Sequence, residues 1–307
     1  MTITTNLPQV SKNSRPAPPI QIIQPTYSFN DISRKVLRAN YPSTLRNRAS
    51  SNPDHLTNGD SSNSKLLPGN ENVPDIDQIL EVLISTNLNT SNTFEHDLLD
   101  LLIAGCYAIN PGEEHVASKF SRVIFTFCSK HMVNLNAKIN DGQVPLDLLV
   151  NFLINAFTRA AQPVYVVDIL RALSQVLIEN GANCQKLHGK ILQTILPVAR
   201  YDNPNYEVRR MAINCLGNLC FRSGAKLQGK YKNIYDVLLE NLSTQDITID
   251  DSALLKVISC TLRSLQLVIN EDKSVLAEPF RPTIEAIKKC IFFNVNELKQ
   301  NSGIIPL

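Results

Sequence analysis

Leu173-Ser174-Gln175-Val176-Leu177-Ile178-Glu179-Asn180-Gly181-Ala182-Asn183-Cys184-Gln185 lies without a gap over Leu216-Gly217-Asn218-Leu219-Cys220-Phe221-Arg222-Ser223-Gly224-Ala225-Lys226-Leu227-Gln228, 43 residues further on. A third copy, Leu262-Arg263-Ser264-Leu265-Gln266-Leu267-Val268-Ile269-Asn270, begins 46 residues after the second. The run leading into the second copy, Glu207 to Cys220, carries apolar residues at 208, 211, 212, 215, 216, 219 and 220. That i, i+3, i+4, i+7 spacing is the stripe of a packed helix. Val166, Ile169, Leu170, Leu173, Val176 and Leu177 repeat the pattern, as do Leu149, Phe152, Leu153, Ala156 and Phe157.

Repeats of roughly 40–47 residues are the period of two- and three-helix HEAT and armadillo units. Between the stripes fall turn signals: Pro111-Gly112, Asp141-Gly142 with Pro145, Pro163, Asn180-Gly181, Asp202-Asn203-Pro204, Ser223-Gly224, and Glu278-Pro279 with Pro282. No segment sustains period-two alternation. The expected fold is all-α, a right-handed α-solenoid of HEAT/armadillo-type helical repeats over 75–307. About ten helices are predicted, near 75–85, 94–109, 114–137, 145–160, 163–180, 183–201, 205–222, 227–243, 251–270 and 280–294.

Before residue 75 the composition changes. Nine of the 17 prolines fall there, among Ser- and Asn-rich runs such as Asn58-Gly59-Asp60-Ser61-Ser62-Asn63-Ser64. Too little apolar side chain is present to offset an ordering cost of roughly 1–2 kcal/mol per residue, which predicts a disordered, basic segment over 1–74. Within it, Phe29, Ile32, Val36 and Leu37 stand at helical spacing, which admits a short helix over 29–38. Arg34, Lys35, Arg38, Arg46 and Arg48 follow with no acid among them, a solvated basic linker or a weak nucleic-acid or nuclear-import signal.

Leu83-Ile84-Ser85-Thr86-Asn87, His115-Val116-Ala117-Ser118-Lys119, Asn180 to Lys186, Glu207 to Ala212 with Cys215 and Asn218-Leu219-Cys220, Asp250-Asp251 and Lys288-Lys289 together resemble the N-terminal region of the HEAT repeat-containing protein 6 family. The order is the same, from about Ile79 to Asn294. The resemblance implies an armadillo-type helical repeat protein with no known catalytic chemistry and a poorly defined role. It also implies a longer solenoid, whose middle and C-terminal repeats have no counterpart here. The last helix, with Ile284, Ile287, Ile291 and Phe292, is followed by no polar cap. Solenoid ends need capping surfaces. The expectation is therefore a fragment or short isoform that self-associates through an uncapped C-terminal end.

No signal peptide and no run of about 18 apolar residues stands out, so no membrane role is expected and the chain reads as intracellular, cytoplasmic or nuclear. Seven cysteines with no Cys-x-x-Cys pair read as reduced core residues. Catalytic, cofactor-binding and metal-ligating sets are all unmatched. Glu113-Glu114-His115 lacks a second histidine at zinc spacing, Gly224-Ala225-Lys226 lacks the rest of a phosphate loop, and Cys184 with His188 has no orienting third group. An enzyme is not expected.

Charge is more informative. Residues 186–232 carry nine bases and two acids, whereas 71–160 carry five bases and eleven acids. In a solenoid such a difference becomes a dipole along the molecule. Arg209, Arg210, Arg222, Lys226, Lys230 and Lys232, with Tyr201, Tyr206, Tyr231 and Tyr235 interleaved, form the candidate basic surface for partner proteins, acidic segments among them. Nucleic acid or chromatin is the alternative partner, and ordinary solvated helix faces the reading without function. The expected function is a non-catalytic protein-interaction scaffold.

Overall fold

The computed structural model describes residues 76–85, 95–131, 145–243, 252–277 and 280–301. These form ten α-helices and no strand. They are α1 (Ile76–Ser85), α2 (Glu95–Ala108), α3 (Glu114–His131), α4 (Pro145–Arg159), α5 (Pro163–Asn180), α6 (His188–Ile195), α7 (Tyr206–Cys220), α8 (Tyr231–Ser243), α9 (Ser252–Glu271) and α10 (Phe280–Asn301). The segment 1–74, with its expected helix over 29–38 and the basic run from Arg34 to Arg48, lies outside the described residues. So do positions 132–137 of the third expected helix and the chain beyond 301, and of Ile291 and Phe292 only the backbone is described.

Helices pack on the next but one as well as on their neighbours. α1 packs on α3, α3 on α5, α5 on α7 and α7 on α9. α2 packs on α4, α4 on α6 and α8 on α10, with α4 against α5 and α8 against α9 joining the two ranks. The apolar stripes read from the sequence all face this interior. Leu149, Leu153, Ile169, Leu173, Leu177, Ala212, Leu216 and Leu219 are fully buried, and every residue of the α7 stripe lies in the core. α9 is long and apolar enough to cross a membrane by length and composition, but Leu254, Val257, Ile258, Leu265 and Val268 are spent on packing within the fold.

Local chemistry sets the helix starts. Pro145 and Pro163 open α4 and α5, where a missing N–H costs nothing. The α5 entry has no side-chain cap of its own. Instead the Glu114 carboxylate, from the first turn of α3, accepts from the amides of Ala161 at 3.0 Å and Gln162 at 3.2 Å. At α7, Asn205 Oδ1 accepts from the Val208 amide at 3.0 Å, while Asn203 binds the Val198 carbonyl and the Asn205 amide.

Close approach within the rank α5, α7, α9 depends on small residues. A Cβ on Gly217 of α7 would come within 2.8 Å of Ser264 Cβ and 3.1 Å of its Cα on α9. One on Gly181 would meet the Leu219 carbonyl at 2.9 Å and the Asn218 carbonyl at 3.1 Å. Polar groups at the same crossings find partners across them. Asn218 Nδ2 donates to the Ser174 carbonyl at 3.0 Å and to its hydroxyl at 2.8 Å, and Ser264 donates to the Ile213 carbonyl at 3.2 Å.

Two expected helices are shorter than their patterns suggested. The helix expected over 183–201 is replaced by the end of a 3₁₀ turn, Gly181–Asn183, a second turn, Gln185–Leu187, and α6 alone. Pro197 lacks an N–H and disfavours helical geometry before it, so α6 closes at Ile195. The helix expected from 227 begins at Tyr231, because Gly224–Leu227 is a 3₁₀ turn and Gly229 has φ +78°.

Candidate functional site

The six basic residues grouped by the sequence do not share a surface. Arg209 is 1% exposed and lies in the core. Its Nη1 donates to the Tyr201 carbonyl and its guanidinium rests 4.9 Å from the centre of the Tyr206 ring. Tyr231 and Tyr235 are also buried, Tyr231 donating to the Gly224 carbonyl at 3.0 Å and Tyr235 bonded to Thr283. These three are corrected from surface to core. They sit where α7 and α8 meet their neighbours, and net charge along the chain carries no information about which face a residue occupies.

Lys232 is exposed on α8 and paired with Asp236 at 3.3 Å. Arg222, Lys226 and Lys230 are on the loop after α7, whose 3₁₀ turn Gly224–Leu227 lies beside the 3₁₀ turn Gly181–Asn183. Arg222 has φ +58°, an uncommon conformation for a residue with a Cβ. Two contacts hold it: the Glu271 carboxylate accepts from the Arg222 amide at 2.9 Å and from the Gly224 amide at 3.1 Å, and the Arg222 guanidinium lies 4.7 Å from the Phe221 ring centre.

Arg210 is elsewhere. It stands near the start of α7, about 15 Å along the helix from Cys220 at a rise of ~1.5 Å per residue. There it lines a groove of about 330 Å³ between α7 and α9, with Asn214, Lys256, Ser259, Cys260 and Arg263. Glu207 bonds Arg210 Nε at 2.9 Å, which holds the Glu207 carboxyl below the usual carboxylate range and the Arg210 guanidinium above its own. Arg171 of α5, paired with Asp168 at 3.5 Å, adds its charge to the field at Glu207. Cys260 is partly buried; burial pushes its thiol up against the opposing pull of Arg210 and Arg263. Lys256 and Arg263 fall beyond 186–232 and were missed by counting charge there. The repeat register could have found Lys256, which occupies the position 46 residues after Arg210.

The acidic end has its own pairing. Lys119 Nζ bonds both Asp77 oxygens, at 2.9 and 2.8 Å, and Glu81 at 2.8 Å, joining α3 to α1. Burial opposes the ammonium, but these bonds outweigh it and raise the Lys119 pKa.

Cys184 and His188 are both fully buried, yet His188 Nε2 bonds the Gly181 carbonyl at 2.8 Å. Burial pushes the Cys184 thiol up to about 12, the opposite of what a nucleophile requires. Burial first, then the Lys230 and Lys226 charges, lower the His188 pKa against the pull of the Gly181 carbonyl. The sign follows directly: below about pH 6.5 the unfolded chain takes up a proton that the folded chain refuses. Stability is therefore complete above that pH and lost as pH falls through the window beneath it. The urea midpoint should drop between about pH 7 and pH 5, and His188→Gln should flatten that slope. Equal slopes for both proteins would show that His188 protonates freely in the fold.

No family model matches the chain, and no solved structure matches it. A protein of Dictyostelium discoideum, described as uncharacterised, is 34% identical over 143 residues, which cover 45% of this chain and 9% of that protein. The chain thus spans less than a tenth of that relative's length.

Proposed function

We propose that the chain is a HEAT/armadillo-type α-solenoid, similar to the N-terminal region of the HEAT repeat-containing protein 6 family, and acts as a non-catalytic scaffold for partner proteins. The observation that carries this is the rank α1, α3, α5, α7, α9, in which each helix packs on the next. The starts of α5, α7 and α9 at Pro163, Tyr206 and Ser252 keep the 43- and 46-residue repeat, and each of the three is followed by a 3₁₀ turn. Stacked units of this kind expose one continuous face along many helices, which suits an extended partner segment. Buried Arg209 supports the HEAT assignment, since in Asp202-Asn203-Pro204 followed by Val208-Arg209 the arginine ties the helix to the preceding corner.

Proximity labelling in cells, with the chain fused to a labelling enzyme, is expected to enrich a reproducible set of proteins over a fusion without it. No set above that control would overturn the scaffold. A nucleic-acid role is the second reading, favoured by exposed Lys186, Arg222, Lys226 and Lys273, which make no ion pair among the described residues. It predicts binding whose logarithm falls steeply with the logarithm of salt.

A further inference from the structure

We infer that the groove between α7 and α9 seats an extended acidic segment of a partner protein, with carboxylates three residues apart. This rests on the scaffold reading and gives it a site and a chemistry. Arg210, Lys256 and Arg263 line the groove, and no carboxylate does. Glu207 at its edge offsets Arg210. Lys256 and Arg263 make no ion pair among the described residues, and although the Lys256 charge is felt at Glu207, two exposed cations stand on one helix without a salt-bridge partner.

Their spacing selects the ligand. Seven residues of α-helix separate them, a rise of about 10.5 Å. An extended chain in the polyproline II form advances about 3.1 Å per residue and repeats its face every third residue, so carboxylates three residues apart cover nearly the same distance on one side. A single phosphate cannot reach both ends of that span. Ser259 and Cys260 lie between the two cations, and their small side chains leave room for a backbone to pass. No aromatic ring lines the groove, so bases would have no stacking platform there, and the Glu207 carboxylate opposes a continuous polyanion. A protein segment with spaced acids meets both conditions.

The test is fluorescence anisotropy on the whole chain with a labelled peptide of about twelve residues, carrying glutamate at every third position among Ser, Pro and Gly. Binding should weaken about tenfold or more in the Lys256→Glu/Arg263→Glu variant, and equally when the peptide's glutamates become glutamine. Lys226→Glu/Lys230→Glu on the loop edge should change it less than about twofold. Bound peptide should slow alkylation of Cys260, read by mass spectrometry, and both variants should keep the urea midpoint. Undiminished affinity in Lys256→Glu/Arg263→Glu, absence of binding, equal binding of a peptide with acids four apart, or displacement by single-stranded RNA would each overturn the assignment. Proximity labelling with Lys256→Glu/Arg263→Glu separates the two ideas: an unchanged partner set removes the groove and leaves the scaffold standing.

Discussion

Arg209→Ala is expected to lower the free energy of unfolding by about 3 kcal/mol, read by urea titration with far-UV circular dichroism. Three losses combine. The Tyr201 carbonyl loses its guanidinium donor, the Tyr206 ring loses the cation over its face, and a side chain 1% exposed leaves a cavity behind. Two further variants separate these causes. Arg209→Met restores volume without a donor and should cost less than alanine, because a buried charge replaced by a well-packed apolar chain loses little. Arg209→Lys keeps the charge but not the planar group that lies over Tyr206, and should fall between them. A cost below about 0.5 kcal/mol for alanine would place Arg209 on the surface in solution.

Gly217→Ala gives the second large effect, and its sign is diagnostic. In an open helix alanine is better than glycine by about 1 kcal/mol. Here the new methyl group meets Ser264 Cβ at 2.8 Å, and forcing α7 from α9 should cost about 2 kcal/mol net. Ser264→Gly alone loses the bond to the Ile213 carbonyl and should also destabilise. Together the two changes should cost less than their sum, since the methyl group and the deleted side chain exchange places. A double-mutant cycle measures that coupling, and strict additivity would mean the crossing is looser than described. Gly181→Ala offers no such rescue, because it meets the backbone of Leu219 and Asn218 rather than a side chain that can be trimmed.

The helices were legible for local reasons. Val208, Met211, Ala212, Cys215, Leu216 and Leu219 mark one face, and Pro163 and the Asn203-Pro204-Asn205 corner mark starts, so periodicity and capping chemistry sufficed. The 3₁₀ turns were not legible, because what shapes them is tertiary: Gly181 must pass the Leu219 carbonyl, and Gly224 is held by a carboxylate 47 residues away. The candidate site was half legible. Arg210 was found, but Arg209 beside it points about 100° away around the helix and into the core. Its position three and four residues before buried Ala212 and Ile213 carried that information, which a charge count discards. Lys256 and Arg263 stand on α9, beyond the stretch whose charge was counted, and a site built across two helices is seen only when α7 and α9 are set against each other at their 46-residue offset.

Glu271 gives the loop edge a property its exposure would not suggest. The carboxylate that closes α9 also receives the amides of Arg222 and Gly224. Fraying of the last turn of α9 and opening of the corner after α7 are thereby one event. Loosening of the Glu271 carboxylate releases both amides together, so the end of α9 and the corner after α7 share one local opening.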